Sequence, residues 1–221
     1  MLWTPTSPAR AENLTSREQL RRHNQCPNCN LQGIDLSYWN LDGANLENAN
    51  LYGAILRGAQ LNRANLKNAD LYRANLQGAS LHRTDLERAR LEQANLQDSF
   101  LGNANLERAR LGSANLEGAF LGRANLRYAS LEDSRLVGSN LVEANLFRAT
   151  LDNADLSRAS LLRADLQGTF LNFAKFQNTI LDEANFRSAT LTGALIDTSL
   201  SQSADFCGAV MTNGITYNCE Y

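Results

Sequence analysis

The sequence predicts an all-β solenoid over residues 26–200, and three observations carry that prediction. Leu, with Phe or Ile near the end, stands at every fifth position from Leu31 to Ile196, through 34 consecutive pentapeptides without a slip. Two residues before each of these, from Ala44 onward, the chain has Ala or a small hydroxylated substitute: Thr84, Ser99, Ser134, Ser139, Thr169 or Thr179. Third, a period of five suits neither regular element. On an α-helix five residues advance about 500°, so the stripe spirals around the helix. In a flat strand an odd period throws successive Leu residues onto opposite faces. The pattern is satisfied if each pentapeptide is a short extended side followed by a corner. The small residue and the Leu then point inward together, because they are two apart. The residue between them points outward and the next two turn the corner. Repetition winds the chain into coils that pair with their neighbours. A large residue in place of the Ala would overfill the narrow core.

The repeats read Ala44-Asn45-Leu46, Ala64-Asn65-Leu66, Ala104-Asn105-Leu106 and Ala154-Asp155-Leu156. In this the chain resembles the pentapeptide-repeat family with its A(D/N)LXX motif, and within it exported cyanobacterial members. The resemblance implies a right-handed quadrilateral β-helix with four pentapeptides per coil. Counted so, the run makes about 8.5 coils, a rod of roughly 40 Å at the ~4.8 Å spacing of paired strands.

The elements follow in chain order. Residues 1–13 are polar and interrupted by Pro, which predicts a disordered tail. Within them Ala9-Arg10-Ala11 before Glu12 is similar to a signal-peptidase site, although no apolar segment precedes it. It reads either as the remnant of an export signal or as a chance tripeptide. Residues 14–25 predict a short helical cap. Thr15-Ser16-Arg17-Glu18 is a capping-box pattern, and the helix should reach about His23, laying Leu14 or Leu20 over the open first coil. Arg17, Arg21 and Arg22 read as its solvated face. Residues 201–221 predict a C-terminal cap. There Ser201 takes a Leu position, Leu200 falls outside the register, Phe206 and Met211 recover it, and Asn213-Gly214 signals a turn.

The four cysteines lie near the two ends. Cys26-Pro27-Asn28-Cys29 puts Cys26 on a Leu position and Cys29 on an Ala position, both inward. Three readings are open. Zinc needs about four ligands; His23 makes at most a third, and Cys207 and Cys219 stand roughly 43 Å away at ~4.8 Å per coil. A thioredoxin-like redox pair wants a βαβ context that is missing. A structural disulfide stapling the first coil is the remaining reading, and the resemblance implies it too, since similar CxxC openings occur in exported cyanobacterial members. A bridge needs Cα atoms within ~7 Å, so pairing must be local: Cys26 with Cys29 and Cys207 with Cys219. Lasting bridges imply an oxidising compartment, periplasm or thylakoid lumen, with the cytoplasm as the alternative.

Taking every twentieth residue gives four outer columns. The column Asn45, Asn65, Asp85, Asn105, Asn125, Asn145, Asp165, Asn185 is amide or carboxylate throughout and reads as structural, bonding coil to coil and to the turn. The opposite column begins Asp35, Ile55, Asn75 and degenerates to Arg135, Asp155, Lys175. The other two lack the signature and could serve recognition. Leu86-Glu87-Arg88-Ala89-Arg90 recurs at Leu106-Glu107-Arg108-Ala109-Arg110, so Arg88, Arg90, Arg108 and Arg110 should cluster, with Tyr128 and Arg148 on the same corner column. This is either an ordinary ion-paired surface or a partner patch. Phe100 and Phe120 should stack on an outer side, for cross-coil packing or for a contact. Phe147, Phe170 and Phe173 add apolar surface.

No nucleophile–base pair, Walker loop, HExxH or dinucleotide fingerprint is present. An enzyme is therefore not predicted, and no cofactor or metal is expected. No apolar run approaches the ~20 residues of a membrane span. Two functions are open: a structural or protein-interaction scaffold, binding another protein or its own copy, and the DNA imitation by which some members of the resembled family bind a type II topoisomerase. Mimicry needs a phosphate-like run of negative charge. Between Leu31 and Leu200 there are 19 acids and 17 bases, in a chain of net charge −2. The balance favours the scaffold and gives no reason to expect nucleic acid as a partner.

Overall fold

The structure, a computed structural model, describes residues 8–196 and 203–219. From Gln25 onward, the residue before each Leu position bridges in parallel to the residue twenty further along: Gln25 to Asn45, Asn30 to Asn50, Asp35 to Ile55, Asn40 to Gln60, and so on to Thr190 with Val210. Four such columns make a four-sided coil of twenty residues. The sides are shorter than ordinary strands. Each contributes one isolated bridging residue, because a turn begins directly after the Leu.

The amides of one repeat can all be followed. Asn45 donates to the Asn24 carbonyl at 3.1 Å, Leu46 to Asn65 at 2.7 Å and Asn48 to Lys67 at 2.9 Å, all between coils, while Ala49 closes the corner on Leu46 at 3.0 Å. The fifth amide, of Glu47, donates to Asn45 Oδ1 at 3.1 Å. An Asn or Asp before the Leu therefore completes the hydrogen bonding of its own repeat. The same contact recurs from Lys67 to Asn65 Oδ1, from Glu87 to Asp85 and from Phe147 to Asn145. The amides of Asn125 and Asn105 also reach down one coil, to Asn105 and Asp85, at 3.1 and 3.0 Å.

The second corner residue has left-handed backbone throughout the repeat, and this is not confined to Gly: Asn48 has φ 56°, Arg63 57°, Asp133 57°, Tyr128 57° and Phe173 59°. For a side chain with a Cβ this costs about 1–2 kcal/mol. It aims the corner amide along the rod, where it finds a carbonyl of the next coil, and that bond offsets the cost. At Gly118, φ is +65° and an added Cβ would meet Asp98 Oδ1 at 2.5 Å. Gly118→Ala should lose about 1–2 kcal/mol in urea denaturation, and Gly118→Asn distinctly less, because Asn tolerates this conformation. Both variants place a Cβ beside Asp98, and the difference between them combines the backbone preference of Asn with the hydrogen bond its amide can make to Asp98, as Asn68 makes to Asn48 at 3.2 Å. Equal stability of Gly118→Ala and wild type would show that the corner relaxes freely.

Inside, Leu and Ala form one contiguous core from Cys26 to Ala209, nearly all of it shut off from solvent. Most hydroxyls at Ala positions are bonded, Thr84 donating to Leu61 O at 2.7 Å, Ser99 to Leu96 O at 2.6 Å and Thr169 to Leu166 O at 2.7 Å, while the buried Ser139 Oγ has no partner among the described residues. Near the C-terminus Phe replaces Leu, and Phe186 stacks on Phe206 with centroids 4.8 Å apart.

Helix α1 spans Pro8–His23. It starts earlier than the capping-box pattern suggests, so the expected tail of residues 1–13 is helical from Pro8, and Ala9-Arg10-Ala11 lies within the helix rather than in an extended segment. Pro8 at the first position needs no amide partner, and the Ala, Glu and Leu that follow are good helix formers. Asn24, at φ 53°, ends the helix by donating to Leu20 O at 2.9 Å, a left-handed cap. Leu20 is buried in the solenoid core; the Leu14 side chain lies outside the described set. Arg17 sits 5.1 Å over the Trp39 ring, and Arg21 and Arg22 pair with Glu18, whose carboxyl these hydrogen bonds hold down to about 2.

At the other end the chain reverses at Asn213-Gly214 and pairs antiparallel with the last coil, Val210 with Thr216. Met211 donates to Ile215 O at 2.9 Å and Gly208 to Tyr217 O at 2.9 Å, so amides that would reach for a further coil are taken. Leu200 and Ser201 lie outside the described residues. A disulfide joins Cys26 to Cys29 and another joins Cys207 to Cys219, with Cα separations of 5.3 and 4.8 Å. Cys26 is fully buried, whereas Cys29 is only partly so, because the first coil has no coil beneath it.

Candidate functional site

The outer surface is built from the side columns and the two-residue corners between them. The corner that follows the Asn45–Asn185 column carries Arg88, Arg108, Tyr128 and Arg148 at its second position, one per coil, as the repeat register requires. The first position of the same corner supplies Lys67, Glu87, Glu107, Arg127 and Phe147.

The expected arginine cluster divides in two. Arg90 and Arg110 sit on the adjoining side and are neutralised: Arg90 bonds Asp70 at 2.8 Å and Arg110 bonds Glu92 at 2.8 Å. Arg88 remains at the corner, 3.5 Å from Glu87, which also holds Lys67 at 2.7 Å. That lysine bond keeps the Glu87 carboxyl below its ordinary range. Arg108 is different. Its guanidinium lies 5.6 Å over Tyr128 and makes no ion pair within 4 Å among the described residues, although its charge is felt by the Glu87 carboxyl. Arg127, which the repeat comparison did not single out, lies 5.6 Å over the same ring and 4.6 Å over Phe147. Arg148 lies 5.3 Å over Phe147, and the two rings meet edge to face at 5.8 Å. The signal for Arg127 was available: it precedes Tyr128 and stands one coil below Phe147.

Phe100 and Phe120 stack on another side, centroids 5.2 Å apart and 9° from parallel, each 47% exposed. A Phe cannot accept the corner hydrogen bond that Asn accepts, so the amides of Gly102 and Gly122 lose that cap. Phe173 is also exposed, but its ring covers Gly193, where a Cβ would meet it at 2.6 Å. It packs on the next coil of its own chain. Glu132 shows the opposite economy. Burial pushes its carboxyl up, but hydrogen bonds from the Ser130 and Thr150 hydroxyls outweigh this and leave it lowered.

Among the described residues no group of His, Cys, Asp or Glu is arranged to hold a metal ion. Cys26 and Cys29, as a disulfide, offer no thiolate. Among the described residues no helix is long and apolar enough to cross a membrane.

A profile of the family described as pentapeptide repeats matches in 8 copies, over residues 29–68, 69–108, 104–141, 139–172 and 163–213. Among solved structures, HetL of the cyanobacterium Nostoc sp. PCC 7120, a pentapeptide repeat protein involved in heterocyst differentiation regulation, is 33% identical with a TM-score of 0.69, covering 94% of this chain and 98% of its own. A pentapeptide repeat protein of the Arabidopsis thaliana thylakoid lumen is 25% identical over 55% of this chain and 68% of its own, with a TM-score of 0.26. QnrB1, a plasmid-mediated fluoroquinolone resistance protein, is 17% identical over 80% of this chain and 81% of its own, with a TM-score of 0.35. No curated protein matches the sequence significantly. Proteins built from these repeats fold as right-handed quadrilateral β-helices. By profile, by likeness to HetL and by its twenty-residue coils, this chain belongs to the pentapeptide-repeat family.

Proposed function

We propose that the protein is a non-catalytic scaffold that presents its outer corners and sides to another protein or to a second copy of itself. One observation carries this reading. The inward positions of the repeat are consumed by Leu and Ala packing, so only outer side chains on a hydrogen-bonded frame are left to act. Arginine, tyrosine and phenylalanine are enriched where proteins meet, and several stand exposed here on backbone that is already ordered. The likeness to HetL supports a regulatory interaction over chemistry. We assign helix α1 and the reversed segment after Asn213 as end caps, and place the protein in periplasm or thylakoid lumen rather than cytoplasm. The two disulfides support that location.

DNA mimicry fits the surface less well. A mimic keeps a continuous negative face, whereas here acids answer bases across adjacent coils, as in Arg123 with Glu143 and Arg163 with Glu183, both at 2.7 Å. A DNA gyrase supercoiling assay decides between the readings. No inhibition is expected at modest molar excess. Strong inhibition that disappears when Asp70, Glu87 and Glu107 are changed to their amides would replace the scaffold with a topoisomerase-binding mimic.

A further inference from the structure

We propose that the corner built from Arg108, Arg127, Tyr128, Phe147 and Arg148 is a docking site for an acidic peptide segment of a partner protein. This rests on the scaffold reading and names the chemistry of the partner.

Two observations together carry it. The first is the pairing of charge on the rod. Several arginines on the rod bond an acid in an adjacent coil: Arg123 with Glu143, Arg135 with Glu117, Arg163 with Glu183. Arg108, Arg127 and Arg148 have no such partner among the described residues. The positions one coil beyond them are Tyr128, Phe147 and Gly168, and one coil before them Arg88, Glu107 and Tyr128, so the one acid so placed is Glu107 beside Arg127, with which it makes no ion pair. The nearby acids are already engaged, Glu87 by Lys67 and Arg88 and Glu107 by Asn125 at 3.3 Å.

The second is the stacking. The ring face attracts the guanidinium without consuming any of its hydrogen-bond donors. The N–H donors therefore stay available to a ligand, in the fork that matches a carboxylate. Arg127 touches both rings, so the five side chains form one unit. The backbone beneath is fixed coil to coil: Arg108 donates to Arg127 O at 2.9 Å, Tyr128 to Phe147 O at 3.0 Å and Arg148 to Gln167 O at 3.0 Å. The donors are therefore organised before a ligand arrives.

The dimensions favour a peptide. Two coil spacings of ~4.8 Å separate Arg108 from Arg148, about 10 Å, which three extended residues span at ~3.3 Å each. Carboxylates on such a segment would bridge successive guanidiniums, and the flanking rings would cover its stems. A nucleic acid needs a longer basic track than three arginines bounded by Glu87 and Glu107.

The test is fluorescence anisotropy with a labelled Glu/Asp-rich peptide and its Gln/Asn counterpart. Wild type should bind the acidic peptide and not the neutral one. The variant Arg108→Gln, Arg127→Gln, Arg148→Gln should bind about ten-fold more weakly or not at all, and Lys at the same three positions should recover only part of the affinity. Arg148→Gln alone should show a smaller loss, and serves if the triple variant melts early. Absence of binding to wild type overturns the proposal, as does unchanged affinity in the Gln variants. Displacement of the peptide by equimolar inorganic phosphate or a single-stranded oligonucleotide would show a general anion patch instead, and overturn it too. Failure here with no effect on gyrase removes the corner assignment and leaves the scaffold reading standing.

Discussion

Leu116→Ala is expected to destabilise the protein by about 2–5 kcal/mol, the range for truncating a fully buried Leu that its neighbours cannot replace. Leu116 has no exposed surface. It stands on a side whose neighbours one coil away, Leu96 and Leu136, are equally buried and held by their own amides, which donate to Asn115 O at 2.7 Å and Asp155 O at 2.8 Å. The frame around it is tied by the Leu116 amide to Arg135 O at 2.7 Å, so the coils cannot close onto the void. The opposite error, Ala114→Phe, should be comparably damaging, because Ala114 is buried to 1% and faces Leu side chains already in contact. Guanidinium denaturation measures both. A Leu116→Ala variant within ~0.5 kcal/mol of wild type would contradict the inward assignment of the Leu position.

Removing the bridge between Cys207 and Cys219 should have the next largest effect, about 3 kcal/mol in the chain-entropy account for a loop of this length. The bridge spans 12 residues, against 3 for Cys26–Cys29. It closes the segment that turns back at Gly214 and occupies the last coil's amides. Cys207→Ser with Cys219→Ser should therefore release that segment first, seen as fast hydrogen exchange at Met211 and Tyr217 while Leu116 stays protected. The Cys26–Cys29 pair should matter less. Thiol counting on protein from its native source, alkylated without reductant, checks that both bridges exist there. Four free thiols would remove them, and with them the case for an oxidising compartment.

The core and the coil were legible because the Leu and Ala positions repeat without interruption, and because Asn or Asp at the intervening position has one evident use, which Glu47 on Asn45 shows. The left-handed corners were not legible. Arg63, Tyr128 and Phe173 have little preference for that backbone, and adopt it because the coil-to-coil amide bond rewards it after the fold has formed. Helix α1 begins before Thr15 for a simpler reason: Pro8 opens a helix as well as the capping box does, and the box marked a second possible start. At the candidate site, Arg88, Arg90, Arg108 and Arg110 looked alike in sequence. A step of two residues carries the chain from a corner to a side, and only in three dimensions do Asp70 and Glu92 meet Arg90 and Arg110 while Arg108 meets Tyr128. The cation–ring contacts at the site join residues twenty apart in one column, such as Arg127 with Phe147, or neighbours on the two corner positions, such as Arg127 with Tyr128, and a reading by column keeps those two positions separate.

The bridges join residues twenty apart while the interior repeats every five. Core and surface therefore obey different rules of insertion. Adding one pentapeptide anywhere in the rod leaves every Leu and Ala inward, so the chain still folds. Yet it turns all that follows by a quarter revolution relative to what precedes, so that an insertion between Arg108 and Arg148 moves one out of line with the other and places the Asn column where another side had been. Only insertions of a whole coil preserve the outer face. A lineage of such proteins can thus change length freely in steps of five, while any lineage bound to a partner through its surface is held to steps of twenty.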